Sequence, residues 1–314
     1  MNTERLDAWH AAGAITAEQH ATLTAIARRE LFSVFLELNA LLYLGVLAFA
    51  VGLGWTIYGR FERMGDAAVL LLLGLLLAGC FGFCFSRARP YAPDKVESPG
   101  FAFDYVLYLG SLIVGVTLGF VEIRFGLLGP NWDYHLLVSA LIYAALAYRF
   151  DNRFVLSLAL STLGAWFGLR LAVLQFHIAG AQRADALAYA AVVMAAGLWT
   201  DRLELKRHFL ETYLHVAANV ALAALASGVI AGGDSRWLWL LGLIAASGVA
   251  IERGVRFKRF IFVVYGVLYG YVGISSRILD GLRDLTLGLA YVVVSAAAVI
   301  TALAVVARRT GRDA

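Results

Sequence analysis

AAVLLLLGLLLAGCFGFCFS, residues 67–86, is a run of twenty residues without a charge, bounded by Asp66 and Arg87. As a helix rising 1.5 Å per residue it covers about 30 Å, the thickness of the hydrocarbon layer of a bilayer. A chain inside that layer has no water to bond to, and a helix satisfies its own backbone groups there. Outward from this run the same pattern repeats. Nine further hydrophobic segments lie at 39–58, 104–122, 135–148, 154–175, 185–200, 210–231, 237–251, 260–275 and 285–307. Hydrophobic residues make up 61% of the 314-residue chain and charged residues 15%, with a mean hydropathy of +0.77, which excludes an ordinary soluble enzyme. The expected class is all-α: a polytopic transmembrane helical bundle of about ten spans.

Loop charge sets the expected orientation. With the N-terminus inside, eighteen of the 26 Lys and Arg fall on the cytoplasmic side, seven on the other, and Arg170 within a span. That asymmetry across short loops predicts both termini cytoplasmic. The net charge of +4 is spread over interhelical loops and gathers in no single exposed patch, so nucleic acid is not an expected partner. The lipid bilayer is.

Residues 4–12 read as a short helix stopped at Gly13. Thr16 and Gln19 then have capping-box spacing for a second helix over 17–30. With few apolar residues (Leu6, Trp9, Ile15, Leu23, Ile26), the hairpin builds no core of its own and is expected to lie on the membrane surface or dock on the loops. The expected division is a cytoplasmic or interfacial hairpin over 1–34 and a transmembrane bundle over 35–314. Cys80 and Cys84, the two cysteines, stand one turn apart inside a span and read as small packing residues, not a disulfide framework. The four prolines all lie between segments, which leaves glycines such as Gly52 and Gly54 as the residues that could break a span.

A shift of 102 residues superposes Leu141-Ile142 on Leu243-Ile244, Gly164 and Gly168 on Gly266 and Gly270, and Ala188-Tyr189 on Ala290-Tyr291. The reading is two parallel four-helix repeats, about 104–207 and 208–309, with coincidence in an Ala-, Leu- and Gly-rich chain as its competitor. The Gly-x-x-x-Gly pairs, and Ser111, Gly115 and Gly119, are expected to let helix backbones approach closely. Segments 135–148 and 237–251 are the shortest and hold matching places in the repeat. They point to a midplane site unless flanking residues extend them.

Polar residues in or near spans are the candidates for a cavity, because lipid burial of such groups is costly. Glu122 and Arg124 stand near the outer end of the third segment and Arg170 near that of the fifth, as snorkelling groups or as a Glu122–Arg170 pair lining a cavity. His215 and Asn219 share a face of the seventh segment and are expected to hydrogen-bond between helices. Asp133 and His135, with His177 and Asp185, could place two imidazoles and two carboxylates at the outer face as a divalent-ion site, and Asp133, His135 and His177 could form the centre of an intramembrane enzyme. Their spacing matches no compact ligand motif. No catalytic residue, cofactor or resident metal is therefore expected, and enzyme activity is the less favoured reading.

Leu6 to Trp9, Gly13-Ala14-Ile15-Thr16, Glu18-Gln19, Leu42-Tyr43-Leu44-Gly45 and Gly52 to Trp55 form an arrangement that resembles the bacterial membrane-protein family known as domain of unknown function 2157. The likeness is clear over roughly the first 60 residues. It implies an inner-membrane protein with a cytoplasmic N-terminal hairpin, and it brings no substrate, reaction or site residue. Two functions are carried forward. The first is a transporter or flippase-like carrier of a small or lipid-linked solute. The second is a non-transporting scaffold or sensor that binds a protein partner through the hairpin and cytoplasmic loops.

Overall fold

The structure, a computed structural model, describes residues 3–27, 35–168, 180–233, 235–282 and 284–312. Among them every regular element is helical and none is a strand. The chain divides into two compact units, residues 1–72 and 73–314.

In the first unit, α1 (Thr3–Ala11) and α2 (Ala17–Ala27) form the expected hairpin. Gly13 turns the chain at φ +71°, a conformation that costs glycine little. The capping box closes in both directions: Thr16 N–H donates to Gln19 Oε1 at 2.9 Å, and Gln19 N–H to Thr16 Oγ1 at 3.2 Å. Asp7 and His20 pair across the hairpin at 2.7 Å, and Leu6 is buried. The expected continuation of α2 to residue 30, and the junction near 34, lie outside the described residues. Helix α3 (Phe35–Met64) runs through Gly52 and Gly54 without a break. Gly65, at φ +76°, ends it, and Asp66 opens α4 (Asp66–Arg87), an acid where the helix dipole favours one.

The second unit takes in the rest of α4, followed by α5 (Phe101–Phe125), α6 (Tyr134–Phe150), α7 (Arg153–Trp166), α8 (Gly180–Arg202), α9 (Leu210–Ala231), α10 (Arg236–Arg256), α11 (Phe260–Gly281) and α12 (Leu285–Arg312). Helices α3 to α12 fall one on each of the ten hydrophobic segments. Among the described residues, six helical stretches are long and apolar enough to cross a membrane: Asp66–Arg87, Phe101–Phe125, Arg207–Ala231, Arg236–Arg256, Phe260–Gly281 and Leu285–Ala307. The shorter apolar ones are Ala40–Thr56, Tyr134–Phe150 and Arg153–Trp166. Flanking residues extend the two short segments to 17 residues in α6 and 21 in α10, which removes α10 from the short class. Within the described residues the fifth segment is helical over Arg153–Trp166, and its expected end at 175 falls outside them.

Sequential pairs α6–α7, α8–α9 and α10–α11 make the most extensive helix contacts. Small residues set the approach in the last pair. A Cβ on Gly266 would strike Ser247 O and Ile251 Cγ1 of α10, and one on Gly270 would press on Ser247 Oγ at 3.3 Å; outside the motif, one on Gly273 would strike the Leu243 side chain. This is the close backbone packing that Gly-x-x-x-Gly predicts. The other pair behaves differently. A Cβ on Gly164 would lie 3.4 Å from the Tyr189 ring, ordinary contact, whereas Gly168 lies beyond α7 at φ +73°, where it serves a turn. Of the stripe on α5, Ser111 is buried and Gly115 abuts the Tyr143 hydroxyl, while Gly119 meets nothing within 4 Å.

Candidate functional site

The connections α4–α5, α6–α7 and α8–α9 meet at one end of the second unit around a buried ion pair. Asp151 caps the C-terminus of α6 at φ +56°, and Lys206 precedes the short turn into α9 at φ +48°. Their side chains are 2% and 1% exposed, and Lys206 Nζ lies 2.9 Å from Asp151 Oδ2. The same oxygen accepts the Val96 N–H at 2.5 Å, and Oδ1 accepts from His208 Nε2. Lys206 Nζ also donates to the Asp94 carbonyl at 2.8 Å and stands over the Tyr91 ring at 5.3 Å, while its N–H donates to the Pro93 carbonyl at 2.8 Å. Burial pushes the Asp151 carboxyl up, but the bonds from Lys206, Val96 and His208 outweigh burial and hold it below the usual aspartate range. Next to it, Asn152 accepts from the N–H groups of Phe154 and Val155 at 3.0 Å each, capping α7, and donates to Asp104 of α5 at 2.9 Å. Positive φ at two residues with side chains costs on the order of 1 kcal/mol apiece, which the ring of bonds offsets.

The α10–α11 connection reaches the same end, since Arg259 Nη1 lies 3.2 Å from Glu211 Oε1 at the start of α9. From that ion pair a polar line enters the bundle. His215, one turn along α9, has Nε2 3.8 Å from Glu211 and its ring stacked on Phe262 at 4.6 Å. Asn219, one turn further, donates to the His215 carbonyl at 3.1 Å and accepts from the Tyr269 hydroxyl at 3.4 Å. Eight residues from Glu211 to Asn219 is about 12 Å of helix, which carries the line well into a 30 Å hydrocarbon layer. His215 Nδ1 and the Ser247 hydroxyl on α10 are buried with no hydrogen-bond partner among the described residues.

The other expected residues scatter. Glu122 is buried and accepts the Leu128 N–H at 3.1 Å, closing the end of α5. Arg124 is exposed in the last turn of α5. Asp133 precedes α6 and makes no side-chain cap, and His135 donates through Nδ1 to the Trp132 carbonyl and stacks on the Trp132 ring. Arg170 and His177 lie outside the described residues, and with them the Glu122–Arg170 pair and the three-residue outer site. Among the described residues no three His, Cys, Asp or Glu side chains stand close enough to hold a metal. Sequence reasoning brought out His215 and Asn219 but passed over Asp151, Lys206 and His208. A cap signal was present in Asp151-Asn152 between two apolar runs. The lysine 55 residues on gives no local sign of its partner.

An all-helical chain with six bilayer-length apolar helices and its charge gathered where they end is a membrane protein. Residues 7–156 match the family described as predicted membrane protein (DUF2157), to which that stretch is similar. The match runs past the first 60 residues to the beginning of α7. No curated protein and no solved structure matches the chain.

Proposed function

We propose that the chain is a multi-pass carrier of the bacterial inner membrane that moves a small or lipid-linked solute along the polar line between α9, α10 and α11. The reading rests on one observation: His215, Asn219 and Tyr269 continue inward from the Glu211–Arg259 pair, with His215 Nδ1 and Ser247 Oγ uncommitted beside them. Groups that are expensive to keep in lipid and not used up in packing suit a passing polar solute. Both termini are placed in the cytoplasm, with 1–34 as a surface hairpin. The supports are the eighteen-to-seven charge split and the meeting at one end of the four connections that the split assigns to that side.

The second reading, a scaffold or sensor, is favoured by the hairpin, whose capping box fixes a helix pair that leaves Trp9 48% exposed. The separating experiment places single cysteines at Asn219 and Ser247 in a Cys80→Ala, Cys84→Ala background. A membrane-impermeant thiol reagent is then applied from each side of oriented vesicles. Labelling of both positions from each side is expected of a carrier. Protection from both sides overturns it in favour of the scaffold.

A further inference from the structure

At the end of the bundle that holds the Asp151–Lys206 pair, the last turn of α6 meets the α4–α5 connection in a small open recess. Arg89, Glu97, Pro99, Phe103, Arg149 and Phe150 line it. Arg149 is held on three sides. Its guanidinium lies over Phe150 at 5.2 Å and Phe85 at 5.9 Å, and Nη1 donates to the Arg89 carbonyl at 3.4 Å. Among the described residues no carboxylate lies within ion-pair distance of it, nor of Arg87 at the end of α4. Arg89 has only Glu97, 3.7 Å away on a side chain that is 81% exposed, a contact that contributes little in water. A guanidinium carries five donors in a planar fork that matches a phosphate, and Arg149 has most of them free and already oriented.

What surrounds the recess selects the source of the phosphate. The recess lies where α4, the stretch of highest mean hydropathy at 2.6, ends, and where α5, another bilayer-length helix, begins. Phe85, whose ring lies 5.1 Å from that of Phe150, flanks it with a large exposed face, 58%. Aromatic rings at the end of a span are placed at headgroup level, with acyl chains to one side and water to the other. The ligand that fits is therefore an amphiphile with an anionic head.

We propose that this recess binds an anionic phospholipid, with Arg149 and Arg89 taking the headgroup phosphate and the acyl chains running past Phe85 along α4. Glu97 is the competitor that the phosphate displaces. Native mass spectrometry of the full-length protein, delipidated in detergent and offered equal amounts of dioleoyl-phosphatidylglycerol and dioleoyl-phosphatidylcholine, tests it. The expected result is one retained phosphatidylglycerol in preference to phosphatidylcholine. Arg149→Gln and Arg89→Gln should each lower that preference about fivefold, the loss of one basic contact near an anionic lipid. Glu97→Gln, on an exposed connection where folding is not at stake, should raise it. A preference unchanged by Glu97→Gln and by Arg149→Gln overturns the proposal. Displacement of phosphatidylglycerol by millimolar inorganic phosphate also overturns it, by assigning the arginines to a soluble ligand.

Discussion

The helices from α5 to the start of α9 and those from α10 to α12 are held together by different means. In the first group three connections are tied at one end by a buried Asp–Lys pair with a histidine, two backbone carbonyls and a backbone N–H. In the second, α10 and α11 meet through Gly266 and Gly273. Helix α12 touches α11 through two hydroxyl pairs, Tyr271–Ser295 and Ser275–Tyr291, each at 3.0 Å. None of the most apolar 18-residue window of α12 is buried. Lipid supplies no hydrophobic drive between helices, so a bundle needs either close backbone approach or polar contacts. The first region concentrates its polar contacts at the helix ends, where loops bury them, with the Tyr189 hydroxyl on the Leu160 carbonyl as a bond inside the core. The second distributes them along the helices.

The largest effect should come from breaking the lock. Lys206→Met leaves the Asp151 carboxylate buried without its cation, and loss of one partner of a buried pair costs about 3–5 kcal/mol. Thermal unfolding in detergent, followed by tryptophan fluorescence, should show a midpoint far below that of the unmodified chain; a midpoint close to it would mean the loops hold without the pair. Asp151→Asn adds a pH signature. The folded carboxyl titrates below its unfolded value, so its contribution is complete above the ordinary aspartate pKa and is lost as pH falls through the lower folded value. The gap in midpoint between Asp151→Asn and the unmodified chain should therefore be constant near neutral pH and close below about pH 4.

The glycine contact comes next. Gly266→Ala drives a methyl into Ser247 O and Ile251 on the facing helix, and overpacking of that kind costs about 1–3 kcal/mol. Gly119→Ala meets open space within 4 Å and should be neutral or slightly stabilising in midpoint. Equal losses from the two would show that α10 and α11 do not depend on backbone approach.

These contrasts also mark how far the sequence can be read. Helix positions follow from local hydrophobicity, and the hairpin cap from Thr16 and Gln19 three residues apart, because both are short-range. His215 and Asn219 announced themselves as polar groups one turn apart in an apolar run. The lock joins Val96, Asp151 and Lys206, each separated by 55 residues from the next, and its partners become neighbours only after the helices fold back on one another. Gly168 looked like the second half of a packing motif because spacing carries no dihedral angle. At φ +73° it belongs to a turn. The length of α10 was under-read because Arg253 and Arg256 at its end look like loop, although basic residues suit the last turn of a helix.

The smallest expected effects bear on the proposed repeat. Tyr189 and Tyr291 superpose under the 102-residue shift, and duplicated helices would give them corresponding partners. Tyr189 instead donates to the Leu160 carbonyl of α7 at 2.7 Å, and its ring packs on Gly164 in the main core. The Tyr291 hydroxyl pairs with Ser275, on the helix that carries the counterpart of Gly164, but Gly266 itself is occupied by Ser247 of α10. Tyr189→Phe removes a buried bond worth about 1 kcal/mol. Tyr291→Phe removes one between hydroxyls in a bundle facing lipid, where about 0.6 kcal/mol is the average. Midpoints that fall in that order, with Ser275→Ala adding nothing to Tyr291→Phe, would mean that the shared Ala-Tyr serves two different contacts. Equal losses, with Ser275→Ala additive, would show that the Tyr291–Ser275 contact carries no energy and would restore the case for equivalent repeats.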